Sequence, residues 1–326
     1  MRAVQMSTFG AEDVLRYVDL AVPDPGAGEV RVRLHAAGVN PADTYIRTGT
    51  YAFFKPKLPW IPGFDGAGIV DAVGAGVDRV GVGDRVFVAA LLAARNTGMY
   101  AEMAVCDAAA VHRLPDAMSF AQGAAIGVPS VTAYRALFQR ARLRAGETVL
   151  VHGASGGVGT LAVQLARAYG ARVIGTAGTA DGLGLVQRLG AHSALDHSRP
   201  DYLDHVLSLT GGRGVDVIIE MLANVNLERD FNALAKYGRI VIVGNRGSLE
   251  FTPRLAMIKE ADVFGMAVWN ATPREYAEAL SAVAAAMESG VLRPIVGREL
   301  PLAKAARAHA DILQEKARGK MVLTID

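Results

Sequence analysis

Hydrophobic and polar positions change their rhythm once along this chain. From Glu29 to Leu34 they alternate (EVRVRL), and GAGIVDAVGAGVDRVGVGDRVFVAA then sets β-branched runs between glycine turns. The first part of the chain therefore predicts short, half-buried strands joined by tight turns, opening on a strand and loop at MRAVQMSTFG. From Gln122 the texture shifts. AQGAAIGVPSVTAYRALFQRA carries helical spacing, TVLVHGA is a short apolar strand, and GTLAVQLARAYG is a helix stopped by Gly170. ARVIGTAG, VDVIIEML and GRIVIVGN are further apolar runs without alternation, each preceded by helix-like sequence, as strands buried on both faces should be. This alternation predicts an α/β fold with a doubly wound parallel sheet. After Trp269, PREYAEALSAVAAAMESG predicts a long amphipathic helix with Pro273 in its first turn and Gly290 past its end, and GKMVLTID predicts one last strand.

Composition narrows the classes of function. A chain of 326 residues exceeds what one hydrophobic core usually supports, so two domains are expected. Its 51% hydrophobic and 20% charged content excludes a disordered chain. The formal net charge is +2, with Lys and Arg scattered among Asp and Glu, and no basic stripe for nucleic acid stands out. The single cysteine, Cys106, excludes an intrachain disulfide and reads as a small buried hydrophobe. The opening segment lacks the apolar core of a secretion signal, and no run of apolar residues is long enough to span a bilayer. A cytoplasmic location is the expectation.

The densest signal is VLVHGASGGVG, which places glycines at 153, 156, 157 and 159 between an apolar strand and a helix. In that setting it is a variant dinucleotide fingerprint, Ala154-x-Gly156-x-x-Gly159, with alanine in place of the first glycine. Gly156 lets the backbone approach a pyrophosphate, Gly159 lets helix and strand pack closely, and the helix N-terminus supplies N–H groups and a positive dipole end. The next strand would carry Asp or Glu in a site built for an unphosphorylated ribose. Here it ends IGTAGTADG, with no acid before Asp181. NADPH is therefore expected over NADH, with His197 and Lys320 as candidate partners of the 2′-phosphate.

Longer segments extend the pattern: AAGVNPADTYIRTGTY (36–51), QGAAIGVPSVTAYRAL (122–137), VHGASGGVG (151–159), IIEMLANVN (218–226) and GRIVIVGNRG (238–247). Together they resemble the zinc-free, zeta-crystallin-like NADPH:quinone oxidoreductases of the medium-chain dehydrogenase/reductase superfamily, over nearly the whole chain. The resemblance implies a partly open, GroES-like β-barrel catalytic domain at 1–124 and 270–326, interrupted by a Rossmann NADP-binding domain at 125–269, with the active site in the cleft between them. It implies a cofactor set of Tyr45, Ser155, Gly156, Gly157, Val158, Gly178, His197, Asn226, Val243, Gly244, Asn245, Arg246, Met266, Ala267 and Val268. Among these, Tyr45 lines the nicotinamide side. Asn40 and Tyr51 complete the candidate catalytic residues, Asn40 as an amide donor to a quinone oxygen or as a turn former before Pro41, and Tyr51 at the pocket mouth.

The superfamily also contains zinc alcohol dehydrogenases, and the residues speak against that branch. Where its first cysteine would stand the chain reads GVNPADTY, its Gly-His-Glu counterpart is Gly63-Phe64-Asp65, and one cysteine cannot build a four-cysteine structural lobe. Asp43, Asp65 and His35 are the imaginable ligands, and no metal is expected. Without a Lewis acid, a readily reduced acceptor fits best: a quinone, reduced through NADPH, with one-electron reduction to a semiquinone reported for the family. An NADPH-dependent reductase of α,β-unsaturated carbonyls is the alternative, with Tyr45 near the carbonyl oxygen. A non-catalytic NADPH-binding protein is a third reading, and nucleic acid is an unexpected partner. Glu220 reads as structural. A homodimer or homotetramer is expected, formed through the apolar edge strand DVFGMAVW (262–269).

Overall fold

The computed structural model describes residues 1–314 and 318–326 and opens on a small antiparallel hairpin of β1 (Arg2–Gln5) and β2 (Arg16–Asp19). The alternating segment becomes the first half of β3 (Glu29–Val39), where Val30, Val32 and Leu34 are buried and Arg33 is exposed. A short helix α1 (Pro41–Arg47) follows. Then come β4 (Asp65–Val73), β5 (Arg85–Ala89), β6 (Met103–Asp107), β7 (Val111–Arg113) and helix α2 (Phe120–Ala124). β3 organises this sheet. Along its length it pairs antiparallel with β4, and on its other side it pairs with β6 through Glu29–Arg33 and with the last strand of the chain through Ala36–Val39.

The helical stretch beginning near Gln122 is interrupted. It forms α2, then α3 (Gly127–Tyr134), then a π-helical segment at Arg135–Arg140. The doubly wound part follows in the expected alternation: β8 (Thr148–Val151), α4 (Gly157–Ala168), β9 (Arg172–Ala177), α5 (Ala180–Arg188), β10 (Ser193–Asp196), α6 (Tyr202–Leu209), β11 (Val215–Glu220), α7 (Ala223–Ala233), β12 (Leu234–Ile242), α8 (Pro253–Lys259) and β13 (Asp262–Gly265). Six parallel strands lie in the order β10-β9-β8-β11-β12-β13, a Rossmann order with its switch point between β8 and β11. β8 is buried at every position, which is why its sequence shows no alternation. Leu150, Ile174, Ile218 and Ile240 of the sheet pack with Tyr202, Val206 and Phe231 of α6 and α7. The half-exposed strand β10, SALD, gives too weak an apolar signal to be read from sequence.

The chain ends with α9 (Pro273–Glu288), β14 (Val296–Pro301), α10 (Ala305–Gln314) and β15 (Lys320–Thr324). β14 pairs parallel with β15, which closes on β3. Two compact units result, Met1–Pro129 with Arg293–Asp326, and Ser130–Leu292. The second boundary thus lies later than the 269/270 expected from sequence texture. α9 packs within the Rossmann unit: buried Arg135 bonds Glu275 at 2.9 Å, Gln139 donates to the Glu275 carbonyl at 2.9 Å, and the Tyr134 hydroxyl donates to Glu278 at 3.1 Å. Texture marks where a helix starts but not which unit it packs on. Cys106 is fully buried on β6, and burial pushes its thiol up to about 12, so it behaves as the apolar residue expected.

Candidate active site

In the Rossmann unit the loops at the carboxyl ends of the strands carry the candidate cofactor residues. After β8 the turn is pinned to the neighbouring strand: the Gly153 N–H donates to Thr176 Oγ1 at 3.2 Å and the Ala154 N–H to the Thr176 carbonyl at 2.7 Å. α4 starts at an N-cap glycine, Gly156, which has no side chain to cap the first-turn N–H groups of Gly157, Val158 and Gly159. A Cβ on Gly159 would lie 2.3 Å from the Gly153 carbonyl oxygen, so only glycine lets the helix start this close to the turn. Ser155 is buried inside the turn. Gly178 follows β9 and His197 follows β10, and the two meet: a Cβ on Gly178 would sit 2.8 Å from His197 Nε2, while His197 Nδ1 lies 3.1 Å from Thr176 Oγ1. No carboxylate occupies Ala177 to Ala180, where a ribose-binding acid would stand.

The loops after β11 and β12 are laced together. Val243 and Gly244 donate their N–H groups to the Glu220 carbonyl at 2.8 and 3.2 Å, and Ala223 donates to the Gly244 carbonyl at 3.0 Å. Asn224 and Asn245 lock the pair: Asn245 Oδ1 accepts from the Asn224 N–H at 3.1 Å, and Asn224 Oδ1 accepts from the Arg246 N–H at 2.9 Å. Asn226 turns its amide inward, donating to Glu220 Oε1 at 3.2 Å. Met266, Ala267 and Val268 continue from β13, with the Met266 N–H bonded to the Ile242 carbonyl. The Rossmann-unit candidates therefore share one edge of one sheet. Thr176, Asn224 and Glu220, which sequence reasoning did not assign to the site, hold those loops in place.

The other unit places Tyr45 on α1, half-buried, with its ring 6.3 Å from that of Tyr51 and the planes 21° apart; Tyr51 in turn meets Phe53 edge-on at 5.4 Å. These rings form an aromatic surface. Asn40 takes the second of its two expected roles, as the N-cap before Pro41 with a capping box to Asp43, while Lys320 stands on β15, outside the Rossmann unit. The Asn40 amide donates to Asp65 Oδ2 at 2.9 Å, and its oxygen accepts from Lys320 Nζ. Both residues are buried, and their side-chain bonds run to each other and to Asp65. Lys320 Nζ also lies 3.2 Å from Asp65 Oδ2, and Asp65 Oδ1 accepts from the Val128 N–H at 2.7 Å. Asp43 Oδ2 accepts from the Asn40 N–H at 2.8 Å and from the Tyr100 hydroxyl at 3.1 Å, and Tyr100 lies 3.2 Å from His309 Nε2. Desolvation raises Asp43 to about 7 and lowers His309 to about 3.

Comparison with known proteins agrees with this geometry. The family profile described as alcohol dehydrogenase GroES-like domain matches residues 26–116, and that described as zinc-binding dehydrogenase matches 157–285. Human quinone oxidoreductase is 46% identical over 100% of this chain and 98% of its own length. The chain belongs to the quinone oxidoreductase branch of the medium-chain dehydrogenase/reductase superfamily. Among solved structures, an NAD-dependent alcohol dehydrogenase aligns with a TM-score of 0.92 at 34% identity, and Escherichia coli quinone oxidoreductase complexed with NADPH aligns with a TM-score of 0.87 at 31% identity. Both alignments cover 100% of each chain.

The zinc in one profile's description does not fit this member of the quinone oxidoreductase branch. Of the imaginable ligands, Asp65 is already neutralised by Lys320 and bonded to Asn40 and Val128, and His35 stacks on Phe120 at 4.6 Å. An ammonium fixed at Asp65 opposes a second cation there. Elsewhere, among the described residues, His152, Glu220 and Asp230 bring a nitrogen and carboxylate oxygens within 4.8 Å of one another, with His152 Nε2 bonded to Asp230 Oδ1 and Glu220 Oε1 to the Leu222 N–H. The folded-state rise at Asp43 carries a sign. Because the folded protein holds that proton more tightly than the unfolded chain, the stability it contributes is full below about pH 4 and is lost as pH rises through about 7. Asp43→Asn, neutral throughout, should therefore lose less unfolding free energy than the wild type over that window. Urea melts at several pH values read the difference, and parallel slopes would contradict the assignment.

Proposed function

We propose that the chain is an NADPH-dependent quinone oxidoreductase that works without a metal. The observation that carries this reading is the uncapped glycine turn at α4 beside an acid-free end of β9, in a chain alike over its full length to human quinone oxidoreductase. NADPH, when bound, supplies the reducing electrons. The N–H groups of Gly157, Val158 and Gly159 hold the pyrophosphate, and the α4 dipole adds to their field. Gly178 leaves room beside His197 for the 2′-phosphate, which no carboxylate repels. The loop of Val243 to Arg246 and the segment Met266 to Val268 border the remaining cofactor surface.

On the acceptor side, Tyr45 and Tyr51 present aromatic faces suited to a planar quinone ring, and the Tyr45 phenol can donate to an acceptor oxygen. Orientation and exclusion of water are the protein's part, which suffices for an acceptor that accepts electrons readily. A carbon–carbon double-bond reductase would need stronger support for an enolate oxygen. Asn40, committed to Asp65 and Lys320, does not supply it. No helix of the described residues is long and apolar enough to cross a membrane, and a cytoplasmic location suits an enzyme drawing on NADPH.

We also infer a homo-oligomer. β13 is the last strand of the Rossmann sheet, with Val263 exposed on it and Met257 and Ile258 exposed on the preceding α8, and a second copy of the same edge would cover them. Light scattering of the purified chain should return a dimer or tetramer mass, and a monomer at micromolar concentration would contradict it. For the activity, NADPH and NADH oxidation are followed in parallel against an ortho-quinone and an alkyl enone. Faster NADPH oxidation with the quinone is expected. Turnover of the enone alone would move the function to double-bond reduction.

A further inference from the structure

Glu220 is the last residue of β11, and a backbone and a side-chain oxygen of the same residue reach both cofactor loops. Its carbonyl accepts from Val243 and Gly244, and its side-chain Oε1 accepts from the Leu222 N–H and from Asn226 Nδ2. Its other oxygen, Oε2, faces inward, is fully buried, and finds no donor while Glu220 is a carboxylate; Asp230 Oδ2 on α7 is in the same position. The two carboxyls are nevertheless close neighbours, each contributing an oxygen to a group with His152 whose atoms lie within 4.8 Å of one another. Two buried carboxyls this close, each with an oxygen that lacks a donor, are reconciled by one shared proton, which supplies the missing donor.

We propose that Glu220 is a positioning residue for NADPH, and that a proton shared with Asp230 holds its carboxyl where Oε1 anchors the loop of Leu222 to Asn226. The surroundings favour this state. His152 Nε2 lies 2.8 Å from Asp230 Oδ1 and 3.5 Å from Glu220 Oε2, so as a neutral ring it donates to Asp230 and adds no second positive charge. Arg229 on α7 and Tyr202 on α6 complete the charged and titratable neighbours, Arg229 lying over the Tyr202 ring at 5.5 Å. Burial raises both carboxyls to about 7, and each weighs against a second negative charge. Removing the shared proton sets two buried anions against each other and releases Glu220 from the loop. NADPH affinity should then fall as pH rises above neutrality.

This rests on the reading that the β11 and β12 loops hold NADPH, and the test separates the two. NADPH dissociation constants for the full chain and for Glu220→Gln and Glu220→Ala are measured from about pH 6 to about pH 9, with quinone KM alongside. Gln keeps the Oε1 acceptor and carries a permanent donor toward Asp230. Its affinity at pH 7 should stay within about twofold of wild type while the decline above neutrality disappears. Ala should weaken NADPH about tenfold at every pH with quinone KM unchanged. A Gln variant that keeps the wild-type pH decline overturns the proposal, and this arm stands even if the Ala variant does not fold. Wild-type protein that does not bind NADPH overturns the cofactor reading with it, whereas wild-type binding with an unaltered Ala variant overturns this proposal alone.

Discussion

Parallel pairing of six strands is the constraint on which the candidate cofactor site depends. Because β8 to β13 all run the same way, their carboxyl ends share one edge, and each following loop emerges there. The glycine turn after β8, an acid-free turn after β9 and the laced loops after β11 and β12 then become neighbours without any long-range signal in the sequence. Thr176 ties the first two, and the Asn224–Asn245 exchange ties the last two. The edge behaves as one preorganised surface rather than as separate loops.

Each unit also contains a buried polar network, and the two solve the same electrostatic problem differently. In the barrel, two carboxylates lie near one ammonium, Lys320, with Asn40 bridging between Asp65 and Lys320. Fixing a cation from the last strand against a carboxylate of β4 ties the final residues of the chain to the start of its central sheet. In the Rossmann unit no ammonium of the described residues is buried beside Glu220 and Asp230, and the proposed shared proton takes that place. The barrel uses an ammonium between its acids, whose own charge burial disfavours, and the Rossmann unit uses a proton.

Much of this was legible in the sequence because the relevant physics is local. A glycine turn between an apolar strand and a helix announces a candidate phosphate site through spacing alone, and Ser155 and Gly156 stand in that turn with α4 starting at Gly157. For the opposite reason, the bonds between Lys320, Asn40 and Asp65 were not legible. Their partners stand up to 280 residues apart in the chain, and nothing near Lys320 in sequence reveals that it is buried against Asn40 and Asp65. Glu220 looked merely structural because its partner Asp230 lies on the following helix, where side-chain direction decides the contact. α9 was assigned to the wrong side of a boundary because Arg135, its buried partner, lies far upstream.

The most direct test is a crystal structure of the full chain with NADPH bound. The pyrophosphate should lie within hydrogen-bond reach of the N–H groups of Gly157 to Gly159, with the 2′-phosphate beside Gly178 and His197 and the loops of Asn226 and Val243 to Arg246 bordering the cofactor. A nucleotide bound away from the α4 N-terminus, or one whose ribose 2′ position faces a carboxylate, would contradict the account.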